Sequence, residues 1–439
     1  MTKTFRKTAE IIFLALLAYM PFHVLLSTWV GSSFGVLTAA KILKDIILLI
    51  GFTMAIIAVD KTDLKTLLRD KLVWLIGAYA ALTVGLALVR PTEQDAEVLG
   101  VVYNLRFLMF FLYGALIMSW QNKVDFFKRV LKIVLIAGAA VAIFGVLQYL
   151  ILPDNALSNV GYTKATGTPP AFFIDDKPNL ERVMSTLKDP NSLGAYMIII
   201  IALGFAFLVK ARDRLRQKYI ALVAVSSICL WLSFSRGAVL GLILTMVCLF
   251  ALEPSSIQYI KKHKRKFALS LVALLSVVSV GLFLARDTYL VSNIVFHADE
   301  QTVLEDPNEL RLRFWRESVE DIAANPLGSG PGTAGLASIR NQSQGTVLNE
   351  NYYLQIAQEV GLLGIGLFIA IIAFIIRRLW RLRDLPVARA ILASLLGLLF
   401  ISLLIHTWSN ESLAYTWWGL SGLLLLRLDT GNFRRTAMS

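Results

Sequence analysis

Runs of about 18 or more apolar residues recur along nearly the whole of this 439-residue chain. No other feature narrows the fold as far. An α-helix rises about 1.5 Å per residue, so ~20 apolar residues cross the ~30 Å hydrocarbon core of a bilayer. Lipid offers the backbone no hydrogen-bond partner, and helices satisfy their own amides. A membrane β-barrel would instead show alternating segments of roughly 10 residues, a pattern the chain lacks. The fold class expected is therefore all-α: a polytopic membrane helix bundle of about twelve transmembrane helices. The spans run over 10–30, 36–59, 72–90, 99–119, 130–152, 192–209, 218–233, 237–253, 267–285, 352–376, 387–406 and 412–427. Residues 1–439 read as one integral membrane domain, because neither an internal repeat nor a low-complexity linker divides them.

The first run follows Lys3, Arg6 and Lys7, as in a signal peptide. It has no small-residue cleavage site and many similar runs follow, so it reads as a retained first span. Cys229 and Cys248 lie inside apolar runs and read as core residues. Seven connectors, the N-terminus, 60–71, 121–132, 210–218, 261–266, 377–389 and the C-terminus, hold 29 of the 43 lysines and arginines. The positive-inside rule places these connectors, and both termini, in the cytoplasm. The net charge of +13 is thus a topology signal with some attraction to anionic lipid, not a nucleic-acid groove.

The alternate connectors, 31–35, 91–98, 153–191, 233–236, 286–351 and 407–411, are then expected to face outward. Two are large. The loop at 286–351, periplasmic or extracellular and containing short helices, is expected to carry the site. It holds Arg286, Arg311, Arg313, Arg316, Arg340, Trp315, the run PLGSGPG at 326–332 and the pair Glu350-Asn351.

Three stretches have chemistry in them. SFSRG, 233–237, breaks an apolar stretch that is long for one helix and short for two. Arg236 then sits near the outer interface. It either snorkels to lipid headgroups or holds a phosphate in a wet cavity, which a guanidinium can grip in bidentate fashion. A helix is expected at 309–324, capped by Asn308 after Pro307. Its apolar stripe is Leu312, Trp315, Val319 and Ile322, with Arg313, Arg316, Glu317 and Glu320 on the wet face. Arg311 falls on the buried side, where an anion must meet it: a structural carboxylate or a ligand phosphate. LNENYYLQ, 348–355, opens the next span. Asn349 can cap that helix with Glu350 at its positive end, and Glu350 is equally placed to act as a general base.

Other charges interrupt spans. Asp45 can pair with Lys41 or Lys44, and Arg106 needs a partner or a cavity. None of His23, His263, His297 and His406 has metal-ligand spacing. His406, five residues before Glu411, is a candidate to join the outer cavity. No P-loop or zinc motif occurs, so neither ATP-driven transport nor a metal or other cofactor is expected.

Four pieces resemble one family in order: STLKDPNSLGAYM at 185–197, SFSRGAVLG at 233–241, RLRFWRESVEDIAANPLGSGPG at 311–332 and NENYYLQIAQEVGLLG at 349–364. They resemble the bacterial O-antigen ligase and polymerase superfamily, membrane glycosyltransferases of the type C class. The resemblance covers about 185–430. It implies a glycan donor on undecaprenyl diphosphate, a sugar hydroxyl or other lipid-linked acceptor, and release of the lipid diphosphate without a metal or nucleotide sugar. It further implies the bacterial inner membrane with the active site on the outer face, and a chain-length regulator or flippase as further partners. Carried over by position, Arg236 and Arg311 match the family's phosphate-facing arginines. Glu350 stands where ligases commonly have a histidine before the asparagine, here Asn351. That departure leans towards a polymerase, with a ligase and a non-catalytic transporter as alternatives. Arg182, Asn191, Arg313 and Arg316 are further candidates for glycan or phosphate contact.

Overall fold

The structure is a computed structural model that describes residues 2–120, 123–174, 180–253, 262, 307–342, 345–347 and 350–425. The protein is helical almost throughout. The first span joins α1 (Thr2–Tyr19) and α2 (His23–Phe34) through one 3₁₀ turn at Met20–Phe22, where Pro21 cannot donate to the helix. Then come α3 (Leu37–Ala58), α4 (Lys61–Leu68), α5 (Lys71–Val89), α6 (Gln94–Trp120), α7 (Lys123–Ile151), α8 (Pro190–Leu208), α9 (Asp213–Leu232) and α10 (Arg236–Leu252). After the break in description follow α11 (Pro307–Ala324), α12 (Tyr352–Arg381), α13 (Pro386–Ile401) and α14 (Glu411–Leu425). Among the described residues seven helical stretches are long and apolar enough to cross a membrane, or eight if bent α3–α4 counts as one span. Helices α10 and α13 are apolar but shorter. The expected spans coincide with helices, except 267–285, which lies outside the described residues. The span expected at 387–406 stops early: helix α13 ends at Ile401, where the Ser402 carbonyl turns away to accept the Tyr352 amide at 2.8 Å. His406 is therefore in a connector, not in a helix.

Side-chain caps start several helices. Asp189 accepts from Ser192 N–H at 2.7 Å, Ser235 from Ala238 N–H at 3.4 Å, and Asn351 from Tyr353 and Leu354 N–H at 3.0 and 3.2 Å. Asn351 is thus the cap of α12. Asn349, expected in that role, lies outside the described residues.

Burial separates inner from outer helices. The most apolar window of α8 is 78% buried, whereas that of α9 is 22% buried. The exposed side of α9, with Ile220, Ile228 and Trp231, suits lipid. At the centre, α6 packs on α14 through Phe107, Phe110, Phe111, Tyr415 and Trp418. Small residues permit the approach: a Cβ on Gly114 would meet the Gly419 carbonyl at 3.1 Å.

One group of charges inside the bundle is paired. Arg106 of α6 is 2% exposed and meets Glu411 of α14 at 3.0 Å, the Ser409 carbonyl at 2.5 Å and Asp45 of α3 at 3.8 Å. Lys44 reaches Asp45 at 3.0 Å and Glu411 at 3.6 Å, and the Tyr103 ring lies 4.6 Å from the Arg106 guanidinium. Two cations and two carboxylates thus join three helices. Glu411→Gln removes the carboxylate that Arg106 and Lys44 share, and stranding buried cations costs about 3–5 kcal/mol. The detergent-solubilised variant should unfold at a clearly lower temperature than wild type. Pairing it with Arg106→Met should recover part of the loss; an unchanged midpoint in the single variant would refute this role.

Candidate functional site

Three segments meet at the end of the bundle where α8, α10, α12 and α14 begin. The first is a two-residue hairpin, Phe172–Phe173 (β1) against Glu181–Arg182 (β2), with Phe172 opposite Arg182. It delivers Arg182 to the 233–236 turn: Val183 N–H donates to the Leu232 carbonyl at 3.0 Å. Arg182 then donates Nε to the Ser233 carbonyl at 3.2 Å and Nη2 to Asn191 Oδ1 at 2.9 Å. Burial lowers its pKa; the Asp189 carboxylate opposes that, and the charge of nearby Arg236 adds to it. Arg236 is exposed and is the first residue of α10. A cation there opposes the helix dipole, and its charge repels that of Arg182. The Pro-Asn helix start and the Ser-Arg-Gly turn are packed together, with a Cβ on Gly194 placed 2.5 Å from Ala238 Cβ.

The second segment is α11 against the start of α12. Arg311 Nη2 meets Glu350 Oε2 at 2.6 Å, so the anion facing Arg311 here is a carboxylate of the protein. Its Nε is buried and has no hydrogen-bond partner among the described residues. Glu350 is exposed and precedes the Asn351 cap. The apolar stripe expected on α11 divides. Trp315 and Ile322 are half-buried, but Leu312 and Val319 are 61% and 56% exposed. The buried position on this helix is Ser318, which bonds the Phe314 carbonyl at 2.7 Å, so the packed face is rotated towards Arg311, Phe314 and Ser318. Arg313 and Arg316 are on the exposed face, Arg313 lying 3.9 Å from Glu317.

The third segment is the connector 402–410, which touches both others. Leu404 lies against Gly237, and Ser402 accepts from Tyr352 N–H. His406, 9% exposed, shares a 2.8 Å hydrogen bond between Nδ1 and Gln355 Oε1, and its Nε2 has no partner among the described residues. The structure thus joins Arg182, Asn191 and Arg236 at one turn and Arg311 with Glu350 at another, and sets both beside the connector that carries His406.

Positive φ marks the same places. Ser185, Phe234 and Glu350 have φ of 53°, 47° and 46°. Such backbone in non-glycine residues costs about 1–3 kcal/mol and tends to gather at functional sites.

One residue that organises the site is not singled out by the sequence motifs. Glu359 of α12 has no exposed surface. It accepts from Asn104 Nδ2 at 2.7 Å and from Gly332 N–H at 2.8 Å, with Gln355 Nε2 at 3.5 Å. Tyr79 O–H completes the set by donating to Asn104 Oδ1 at 3.0 Å. The signal that could have found it is a carboxylate inside an apolar run.

A helical membrane bundle with arginines collected at one end defines the class. Residues 221–369 match a family model described as O-antigen ligase, a segment that contains Arg236, Arg311, Glu350 and Glu359. The match covers about a third of the chain and supports the O-antigen ligase and polymerase superfamily, whose members are membrane glycosyltransferase-like enzymes. No curated protein matches the chain.

Burial, with the charge of Lys188 adding to it, lowers the His406 pKa from 6.5 to about 3. The folded protein therefore keeps this imidazole neutral at pH 7. Between the two values the unfolded chain binds the extra proton, so the contribution is complete above pH 6.5 and is lost as pH falls towards 3. The slope is up to about 1.4 kcal/mol per pH unit. His406→Gln should flatten that part of the stability–pH curve; a curve unchanged from wild type would show that His406 ionises freely.

Proposed function

We propose that the protein polymerises polysaccharide repeat units carried on undecaprenyl diphosphate, such as those of O-antigen, capsule or exopolysaccharide. The growing glycan passes to a hydroxyl of the next lipid-linked repeat, and undecaprenyl diphosphate leaves. The reading places the site at the outer face of the bacterial inner membrane. The observation that carries it is the juxtaposition of Arg182 and Arg236 at one turn. Like charges held together by the fold make physical sense where a polyanion arrives between them.

The chemistry follows. The acceptor oxygen attacks the anomeric carbon, the bond from that carbon to the diphosphate oxygen breaks, and negative charge grows on the departing diphosphate. Fixed guanidinium donors stabilise that charge as a metal ion would elsewhere. Arg182 is oriented by Ser233 and Asn191, and Arg236 stands at the start of α10. Arg311 is anchored through one Nη by Glu350. Glu350 takes the acceptor's proton when the diphosphate claims Arg311. His406 and Asn351 shape the wall nearby, and Arg313 and Arg316 meet the glycan beyond it.

Two alternatives remain as outcomes of test. A ligase would use the same donor chemistry with a different acceptor, such as lipid A–core. A transporter would carry charged residues across the whole bilayer in two related halves, whereas Arg182, Arg236 and Arg311 gather at one end of the bundle.

Purified protein given a defined undecaprenyl-diphosphate-linked repeat alone should produce a ladder of polymer, unaffected by EDTA. Product only after a second acceptor is added would make it a ligase. Arg236→Ala and Arg311→Ala should each reduce chain lengthening by about 10²–10³-fold, the scale of losing one transition-state donor, with membrane insertion intact. Arg→Lys should also be poor, since the bidentate fork is lost. Normal polymer from both alanine variants would overturn the reading. Near-normal turnover by Glu350→Gln would leave Glu350 as the anchor of Arg311 and not the base.

A further inference from the structure

A cleft of about 410 Å³ opens between α11, the first turns of α12 and the 326–333 loop. Arg90, Asp321, Asn325, Ser329, Thr333 and Gln358 line it, with Val347 the one apolar residue. None of the residues to which the transfer chemistry is assigned lies in it. Its walls are tied in place. Gln358 Nε2 donates to Asp321 Oδ2 at 3.1 Å, Ser329 N–H donates to the Gln358 carbonyl at 2.7 Å, and Thr333 Oγ1 donates to the Gly330 carbonyl at 2.7 Å. Arg90 donates to the Gly328 carbonyl. A cleft braced in this way is formed before any ligand enters.

Its chemistry selects a ligand class. An apolar ligand would want an apolar wall, and an anion would want donors alone. Here a carboxylate offers acceptors, a guanidinium offers donors, and two amides and two hydroxyls offer both. Neutral polyols, whose hydroxyls donate and accept at once, match that mixture.

Position then links the cleft to the reaction. Asp321 follows Arg311 on one helix, and Gln358 follows Glu350 on the facing one. At about 1.5 Å per residue the cleft lies roughly 12–15 Å along the seam from the ion pair. We propose that this cleft is a glycan subsite: it holds the neutral sugars of the chain whose reacting end lies at Arg311 and Glu350, and so selects which repeat is extended. This rests on the glycosyl-transfer reading above.

The test uses the full-length protein in detergent and the lipid-free oligosaccharide released from the host's own lipid-linked repeat. Saturable binding is expected with wild type. Asn325→Trp, which fills the cleft without touching the Asp321–Gln358 bond, should weaken it at least tenfold, and Ser329→Ala less. Thermal unfolding of each variant guards against misfolding. In turnover with the lipid-linked repeat, Asn325→Trp should raise KM for the repeat far more than it lowers kcat. Arg236→Ala should still bind the oligosaccharide, so loss of polymer in that variant with binding intact separates this subsite from the chemistry. Equal binding by wild type and Asn325→Trp, or no binding by wild type, overturns the proposal. So does displacement of the oligosaccharide by inorganic pyrophosphate, which would make the cleft an anion site built on Arg90. Full polymer from Arg236→Ala and Arg311→Ala, with the cleft still binding sugar, would overturn the transfer chemistry and leave the cleft a sugar site.

Discussion

The docking of the 326–334 loop into a broken helix is the contact on which the site's geometry depends. Helix α12 breaks at Gly361, where φ is 77° and ψ is −178°. A break inside a bundle strands backbone groups that lipid cannot satisfy. Here the loop satisfies them: Ser329 and Gly330 N–H donate to the Gln358 and Glu359 carbonyls, and the Pro326 carbonyl accepts from Leu362 N–H. The Glu359 side chain closes the joint by accepting from Gly332 N–H while Asn104 holds it from α6. The fit leaves no room for side chains. A Cβ on Gly361 would overlap the Leu327 carbonyl, and one on Gly100 would overlap the Gly332 amide. The glycines of PLGSGPG are needed for close backbone approach. Because the joint fixes α11 beside α12, it also fixes Arg311 opposite Glu350.

The bundle is legible in the sequence because lipid imposes a length and a composition on each span, and both are local properties. Helix starts are legible to within two residues at 192 and 237, against Pro190 and Arg236, but the caps Asp189 and Ser235 are not among those expected. What the sequence hides is non-local. Nothing in the run 387–406 announces that Ser402 turns to bond Tyr352, so the expected helix runs past its true end at Ile401. The stripe expected on α11 rests on period alone. Its packed side is set by α12, which leaves Leu312 and Val319 exposed. Arg311 is expected to face an anion, and the sequence allows either a ligand or a carboxylate. Only the fold brings Glu350, 39 residues on, to that place. The partner of Arg106 is farther still, at Glu411.

The fold holds two kinds of arginine. Arg106 is deep in the bundle and meets two carboxylates, a carbonyl and an aromatic ring. Such a group is balanced in charge and holds helices in register, although its Nε has no hydrogen-bond partner among the described residues. Arg182 is half-buried, held by neutral acceptors, and set beside a second guanidinium. Burial, which in Arg106 is offset by carboxylates in direct contact, is opposed in Arg182 by the charge of Asp189, while its hydrogen bonds go to neutral oxygen atoms. The fold therefore concentrates strain and repulsion at the 233–236 turn, where Phe234 also carries a positive φ, and avoids them a few helices away.

The ion pair of Arg311 with Glu350 sits between these extremes. Its two side chains are 32% and 55% exposed, so solvent screens the attraction and the pair stabilises the fold by little. A weak pair is a poor structural brace. It is well suited to exchange, because an incoming diphosphate can compete for the guanidinium without first breaking a strong bond. On the proposed reading, the carboxylate then loses its partner at the moment an acceptor hydroxyl must lose a proton. In such an arrangement one event, arrival of the donor phosphate, both positions the cation and frees the base, which couples donor binding to acceptor activation through a single pair of side chains.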